Sequence, residues 1–237
     1  MKELSKSSII GVIGAGTMGS GIAQVAATAG HTTVLLDTNP AVLQKAEAGM
    51  KATFTKLVDK GKLTVERSAE IISKIRFSSS LMDFANCDLI IEAIVEDLTI
   101  KQNVFAEIEA LVKPDCIIAS NTSSLSITSI AAACVRPSQI IGIHFFNPAP
   151  LMPLVEVIPA ITTDDHLSEK IKSLLISWGK TVVLAKDTPG FIVNRLARSY
   201  YGESIRIYEE GWEGIPSGQK GFATIDIFRL ENGKIVE

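Results

Sequence analysis

The chain has 237 residues, 46% of them hydrophobic and 21% charged, with a formal net charge of −3. That length suits one large domain, or one domain and part of a second, and the composition is ordinary for a soluble globular protein. A weakly acidic chain has no general attraction for nucleic acid or for an anionic membrane, so any phosphate-bearing ligand must be held by local features.

The first apolar run, "SSIIGVIGAGTMGSGIAQVAATAG", has too many glycines and too few large apolar side chains for a signal peptide or a membrane span. It reads instead as a strand at 9–14, a glycine turn and a helix at 18–29. Further strands are expected at 32–36, 88–94, 117–120, 140–146, 154–158 and 181–185, with helices at 40–60, 98–112 and 164–178. In the 98–112 helix the spacing predicts a buried stripe of Ile100, Val104, Ile108 and Leu111. Strand and helix alternating in this way imply an α/β fold of the Rossmann type: a doubly wound, mainly parallel sheet covered on both faces. Pro189 is placed as the first residue of another helix, which runs to a glycine stop at Gly211. Residues 212–237 read as turns and strands, with Asn232-Gly233 as a hairpin signal. Cys87, Cys116 and Cys134 show no C-x-x-C spacing, which argues against a disulfide framework or a zinc site and for a reducing compartment, read as the cytoplasm.

The stretch "GVIGAGTMGSGIA" contains Gly14-x-Gly16-x-x-Gly19. Glycines cluster in many turns, but here the pattern follows an expected strand, opens an expected helix, and precedes Asp37 at the end of the next strand. Those contexts make it a dinucleotide-binding fingerprint. Gly14 permits the tight turn, Gly16 lets backbone approach a pyrophosphate, and Gly19 lets helix pack on strand. Thr17 and Met18 begin the helix, whose free N–H groups and dipole favour phosphate. A carboxylate at Asp37 accepts from ribose hydroxyls and repels a 2′-phosphate, which favours NAD over NADP.

Two ionisable residues stand out in the apolar stretch "IIGIHFFNPAPLMPLVEV". If 140–146 and 154–158 pair antiparallel around Pro150, His144 lies opposite Glu156, with Cβ atoms about 4.5–5.5 Å apart. A carboxylate there fixes the imidazole tautomer and leaves the other nitrogen free as a base. A buried histidine satisfied by its neighbour is the commoner case. A hydride-accepting cofactor in the same domain tips the reading toward catalysis, because oxidising an alcohol requires a base for the hydroxyl proton. His31 and His166 are read as surface residues.

Together, "GVIGAGTMGSGIAQVAATAG", "IEAIVED", "ASNTSSLSIT", "GIHFFNPAPLMPLVEVI" and "DTPGFIVNR" resemble the L-3-hydroxyacyl-CoA dehydrogenase family, nearest to its bacterial 3-hydroxybutyryl-CoA members. The resemblance runs from about residue 9 to 211. It implies an NAD-binding domain over 1–186, followed by an all-helical domain that completes the cleft and forms a homodimer. The implied reaction is reversible, NAD-dependent oxidation of an L-3-hydroxyacyl-CoA to the 3-ketoacyl-CoA. By the same resemblance His144 matches the base and Glu156 its partner. Ser123 matches the hydroxyl that contacts the substrate oxygen near the nicotinamide, and Asn194 a side chain that holds the reacting carbonyl. Glu96, Lys101 and Asn147 match cofactor contacts, and Lys56 and Lys60 match positions that meet coenzyme A phosphates. By themselves Glu96 and Lys101 read as ordinary charges at a helix start, and Lys56 and Lys60 as a solvated basic face. No metal site is expected. After Gly211 the chain departs from the family, so 187–211 is read as the first helix of a truncated second domain. The final stretch resembles a fragment of a SnoaL-like polyketide cyclase. The alternative function is an NAD-binding remnant with little or no dehydrogenase activity.

Overall fold

A computed structural model describes residues 4–209, 230–231 and 234–235. Its contacts divide the chain into two units, Met1–Phe191 and Ile192–Glu237. The first unit contains strands β1 (Ile10–Ile13), β2 (Thr33–Leu36), β3 (Ile75–Ser78), β4 (Leu89–Glu92), β5 (Ile117–Ser120), β6 (Ile140–Phe145), β7 (Leu154–Pro159) and β8 (Thr181–Leu184). Its helices are α1 (Thr17–Thr28), α2 (Pro40–Asp59), α3 (Val65–Ser73), α4 (Leu98–Leu111), α5 (Ile127–Ala131) and α6 (Asp165–Ser177).

The strands form one sheet in the order β3-β2-β1-β4-β5-β6-β7-β8. Every adjacent pair is parallel except β6 and β7, which run antiparallel. Chain order runs outward in both directions from β1, so the connections diverge beyond the carboxyl ends of the paired strands β1 and β4, the switch point at which such sheets form a crevice. Alternate strand residues feed the two faces. Ile10, Val12, Leu89 and Ile91 join Ile22 of α1, Phe54 of α2 and Ile171 of α6 on one side. Ile13 and Ile90 join Phe105 and Ile108 of α4 and Ile130 of α5 on the other. Both faces are therefore covered, as a parallel sheet requires.

Among the strands and α-helices of this unit, β3, α3 and α5 lie outside the expected set. The sequence "IRFS" carries a single alternation of side chains, too short to stand out from a loop. The buried face of α4 is also rotated from the expected stripe. Lys101, Phe105 and Ile108 are buried, whereas Ile100 is 45% exposed. A lysine has taken the core position that an apolar pattern assigned to its neighbour. His31 is likewise 2% exposed rather than a surface residue, while His166 is exposed.

The second unit begins with α7 (Val193–Glu209), four residues later than Pro189. Gly190 and Phe191 have φ of 76° and 50°, in the left-handed region that a right-handed helix cannot include. Ile192, Leu196, Tyr200 and Tyr201 are exposed. Two short strands, β9 (Leu230–Glu231) and β10 (Lys234–Ile235), pair antiparallel on either side of Asn232-Gly233. That dipeptide, Gly211 and the rest of 212–237 lie outside the described residues.

Candidate active site

The β1–α1 turn is shaped by what its glycines exclude. Gly14 has φ +90°, and a Cβ there would lie 2.6 Å from the Ala93 carbonyl oxygen. A Cβ on Gly19 would lie 1.7 Å from the Gly14 carbonyl oxygen, so helix and turn meet backbone to backbone. At Gly16, by contrast, a Cβ would meet nothing within 4 Å, leaving open space beside exposed Gly16 and Thr17 and half-buried Met18.

The start of α1 differs from those of its neighbours. Side chains of Asn39, Thr64, Asp97, Ser126 and Asp164 cap α2 to α6, but no side chain caps α1. Its first N–H groups are thus available to an external acceptor, and a phosphate suits that position. Asp37 follows β2. Its Oδ2 accepts from the Ala15 N–H at 2.8 Å and its Oδ1 from the Asn39 N–H at 2.9 Å. These bonds orient the carboxylate and leave lone pairs for a ribose hydroxyl. An uncapped helix, an open glycine and an oriented carboxylate fit a dinucleotide.

The β6–β7 pair has the register expected from the sequence, with His144 opposite Glu156. His144 Nδ1 and Glu156 Oε2 are 2.7 Å apart, and the two residues are 5% and 0% exposed. A carboxylate only accepts, so Nδ1 carries the proton and Nε2 presents its lone pair. Among the described residues Nε2 makes no hydrogen bond. The rings of Phe146 and Phe191 stand 4.5 and 5.8 Å from the imidazole, centroid to centroid, and wall it from water.

Beside it runs a polar network that sequence reasoning found only in part. Glu92, at the end of β4, is fully buried. Its Oε1 accepts from Lys101 Nζ at 2.5 Å and from the Ile94 N–H at 2.7 Å, and its Oε2 from the Ser120 hydroxyl at 2.7 Å. Lys101 is therefore no ordinary helix-start charge. It is 1% exposed and also lies 3.4 Å from Glu96 Oε2. Glu96 Oε1 in turn accepts from the Thr122 hydroxyl at 2.6 Å and the Ser123 N–H at 3.0 Å. Burial raises the Glu96 carboxyl, but these bonds and the Lys101 charge outweigh it and hold the group below its ordinary 4.5. Ser123 is thereby tied to the β4–α4 loop. Asn121 ties the same segment to β6 by accepting from the Phe145 N–H at 2.8 Å. The signal for Glu92 was present in the sequence, a lone acid inside the apolar run "LIIEAI", and is the same kind that marked His144.

Lys56 and Lys60, at the end of α2, line a cavity of about 1130 Å³ that also reaches Gly16 and Thr17. Lys45, Lys62 and Lys180 share its wall, and no acidic side chain does. Five lysines around one hollow, in a chain with net negative charge, give it a local excess of positive charge. A second cavity of about 550 Å³ is lined by Thr128, Leu184 and Asp187 and by none of the expected site residues. Asp187 accepts from the Ser126 hydroxyl at 2.9 Å and from the Ile127 and Thr128 N–H groups at 2.9 and 2.8 Å, and so holds the start of α5. Asn147 is exposed in the β6–β7 turn. The first unit contains every expected site residue except Asn194, which lies in the first turn of α7 in the second unit.

Residues 9–188 match the family model described as "3-hydroxyacyl-CoA dehydrogenase, NAD binding domain". Over 201 residues the chain is 43% identical to 3-hydroxyadipyl-CoA dehydrogenase of Escherichia coli, which covers 85% of this chain and 42% of that protein. Over 202 residues it is 45% identical to 3-hydroxybutyryl-CoA dehydrogenase of Bradyrhizobium diazoefficiens, covering 85% of this chain and 69% of the relative. Among solved structures, 3-hydroxybutyryl-CoA dehydrogenase from Escherichia coli superposes with a TM-score of 0.85 at 42% identity, over 87% of this chain and 44% of that one. The chain thus spans less than half of one curated relative and about two thirds of another. The glycine turn, the paired histidine and glutamate and the extent of these matches agree: the chain belongs to the 3-hydroxyacyl-CoA dehydrogenase family, with residues 9–188 as its NAD-binding domain.

Proposed function

We propose that the protein carries out reversible NAD-dependent oxidation of an L-3-hydroxyacyl-CoA, of the 3-hydroxybutyryl-CoA type, to the 3-ketoacyl-CoA. The observation that carries this reading is the buried His144–Glu156 pair, with Nδ1 engaged and Nε2 free to take a proton. When bound, NAD supplies the acceptor for the hydride leaving C3. His144 Nε2 takes the proton of the C3 hydroxyl, and the Glu156 carboxylate stabilises the charge this places on the ring. The Ser123 hydroxyl and the Asn194 amide donate to the oxygen as it becomes a carbonyl. Asp37 and the amides of Thr17 and Met18 hold the cofactor, with Glu96, Lys101 and Asn147 on its nicotinamide side. Lys56 and Lys60 meet the phosphates of coenzyme A in the lysine-lined cavity. The reading takes an acyl-CoA as the substrate partner and the cytoplasm as the compartment; the homodimer belongs to the family and rests on a helical domain of which this chain carries only the first helix.

The test is the loss of NADH absorbance with acetoacetyl-CoA as substrate, with His144→Ala as the control. Turnover that disappears in the control supports the reading. A folded chain that binds NADH but does not turn over would instead be an NAD-binding protein without dehydrogenase activity.

A further inference from the structure

Among the described residues two lysines are buried, Lys101 and Lys180. Lys101 faces the carboxylate of Glu92. Lys180 is 8% exposed and has no carboxylate partner among the described residues. A buried cation without a counter-charge is unfavourable unless its protons are otherwise accepted. Here Nζ donates to the carbonyl oxygens of Ala149 at 2.6 Å and Met152 at 2.9 Å.

Both carbonyls belong to the turn that joins β6 to β7. That turn has few hydrogen bonds of its own. Pro148, Pro150 and Pro153 contribute no N–H, and the Leu151 and Met152 N–H groups share one acceptor, the Pro148 carbonyl. It is also held at its far end, where the Pro153 carbonyl accepts from the Thr181 N–H at 2.8 Å, and by close packing on α1, where a Cβ added at Gly21 would lie 3.2 Å from both Ala149 Cβ and Pro150 Cδ.

We infer that Lys180 is a positioning residue: its buried ammonium clamps the 147–153 turn, fixing Asn147 and the ends of the strands on which His144 and Glu156 face each other. The clamp follows from geometry alone; what it serves rests on the proposed function. Desolvation lowers the Lys180 ammonium from its ordinary 10.5, so the clamp weakens at a less alkaline pH than an exposed lysine would. Methionine fills nearly the same volume without a donor, and glutamine keeps donors on a shorter stem. The two substitutions therefore separate hydrogen bonding from packing.

The experiment compares the whole chain with its Lys180→Met and Lys180→Gln variants by amide exchange and by fluorescence titration with NADH. In Lys180→Met, exchange at Leu151 and Met152 is expected to rise about tenfold, with β1 and β4 unchanged, and the Kd for NADH to rise in proportion. Lys180→Gln is expected to fall between the two. Native exchange and native NADH affinity in Lys180→Met would overturn the inference by showing that the side chain only fills space. Faster exchange with unaltered NADH affinity would overturn the positioning role. A wild-type chain that binds no NADH counts against the proposed function, while the exchange comparison still decides the clamp. Should Lys180→Met not fold, Lys180→Gln supplies the same two readouts.

Discussion

Two buried histidines occupy two corners of the first unit, and burial does not tell them apart. His31 is 2% exposed and His144 is 5% exposed. The difference lies in their hydrogen bonds. His31 Nε2 accepts from the Trp178 Nε1–H at 2.9 Å, so Nδ1 carries the proton and donates it to the Ser8 carbonyl at 3.0 Å. Both nitrogens are occupied, and the ring is a brace between β2 and the end of α6. His144 has one nitrogen held by Glu156 and the other open. A histidine with both nitrogens spent can only hold a structure together; one with a nitrogen in reserve can do chemistry.

The comparison breaks first at His144. His144→Ala is expected to lower turnover with acetoacetyl-CoA roughly a thousandfold while leaving NADH affinity near wild type, and, because it strands the buried Glu156 carboxylate, to lower the urea midpoint as well. Turnover that survives in the folded variant would make His144 a second brace. Next comes Glu156→Gln, which preserves the shape of the pair but removes the charge that stabilises a protonated ring. Its steady-state kcat is expected to fall about a hundredfold. Should kcat survive, orientation of His144 comes from the neighbouring aromatic rings instead.

His31→Gln reverses the pattern. It strands the Trp178 N–H or the Ser8 carbonyl, at a cost of about 1–3 kcal/mol in urea unfolding, and leaves the turnover of folded protein unchanged. Finally, burial lowers the His31 pKa from 6.5, with the Ser8 carbonyl opposing and the charges of Lys6 and Lys74 assisting. Because the folded value lies below the unfolded one, this contribution is whole above pH 6.5 and lost as pH falls toward the folded value. Over the first pH unit below 6.5 it amounts to at most about 1.4 kcal/mol, readable as a difference between wild type and His31→Gln in urea midpoint against pH.

The same contrast marks what could be read from the chain. Opposition of His144 and Glu156 was legible because a proline-rich turn sets the register and every neighbour on the two strands is apolar. The glycine turn was legible because each glycine has a steric duty that no other residue performs. His31 was not, since its partner Trp178 lies 147 residues away and no local pattern joins them. Lys101 was misread for a related reason. Its burial depends on Glu92, and an amphipathic stripe has no way to register a paired charge inside its apolar face. The late start of α7 turns on a positive φ at Phe191, a conformation that a phenylalanine does not advertise.

The position of Asp187 bears on how this domain could be dissected. Three residues beyond β8, it secures the start of α5, and Phe191, four residues further on, completes the wall around His144. A fragment trimmed to the last strand would keep its whole sheet yet unpin that helix and bare the imidazole to solvent. Excision for spectroscopy, or grafting onto a different partner domain, should therefore place the junction after Phe191.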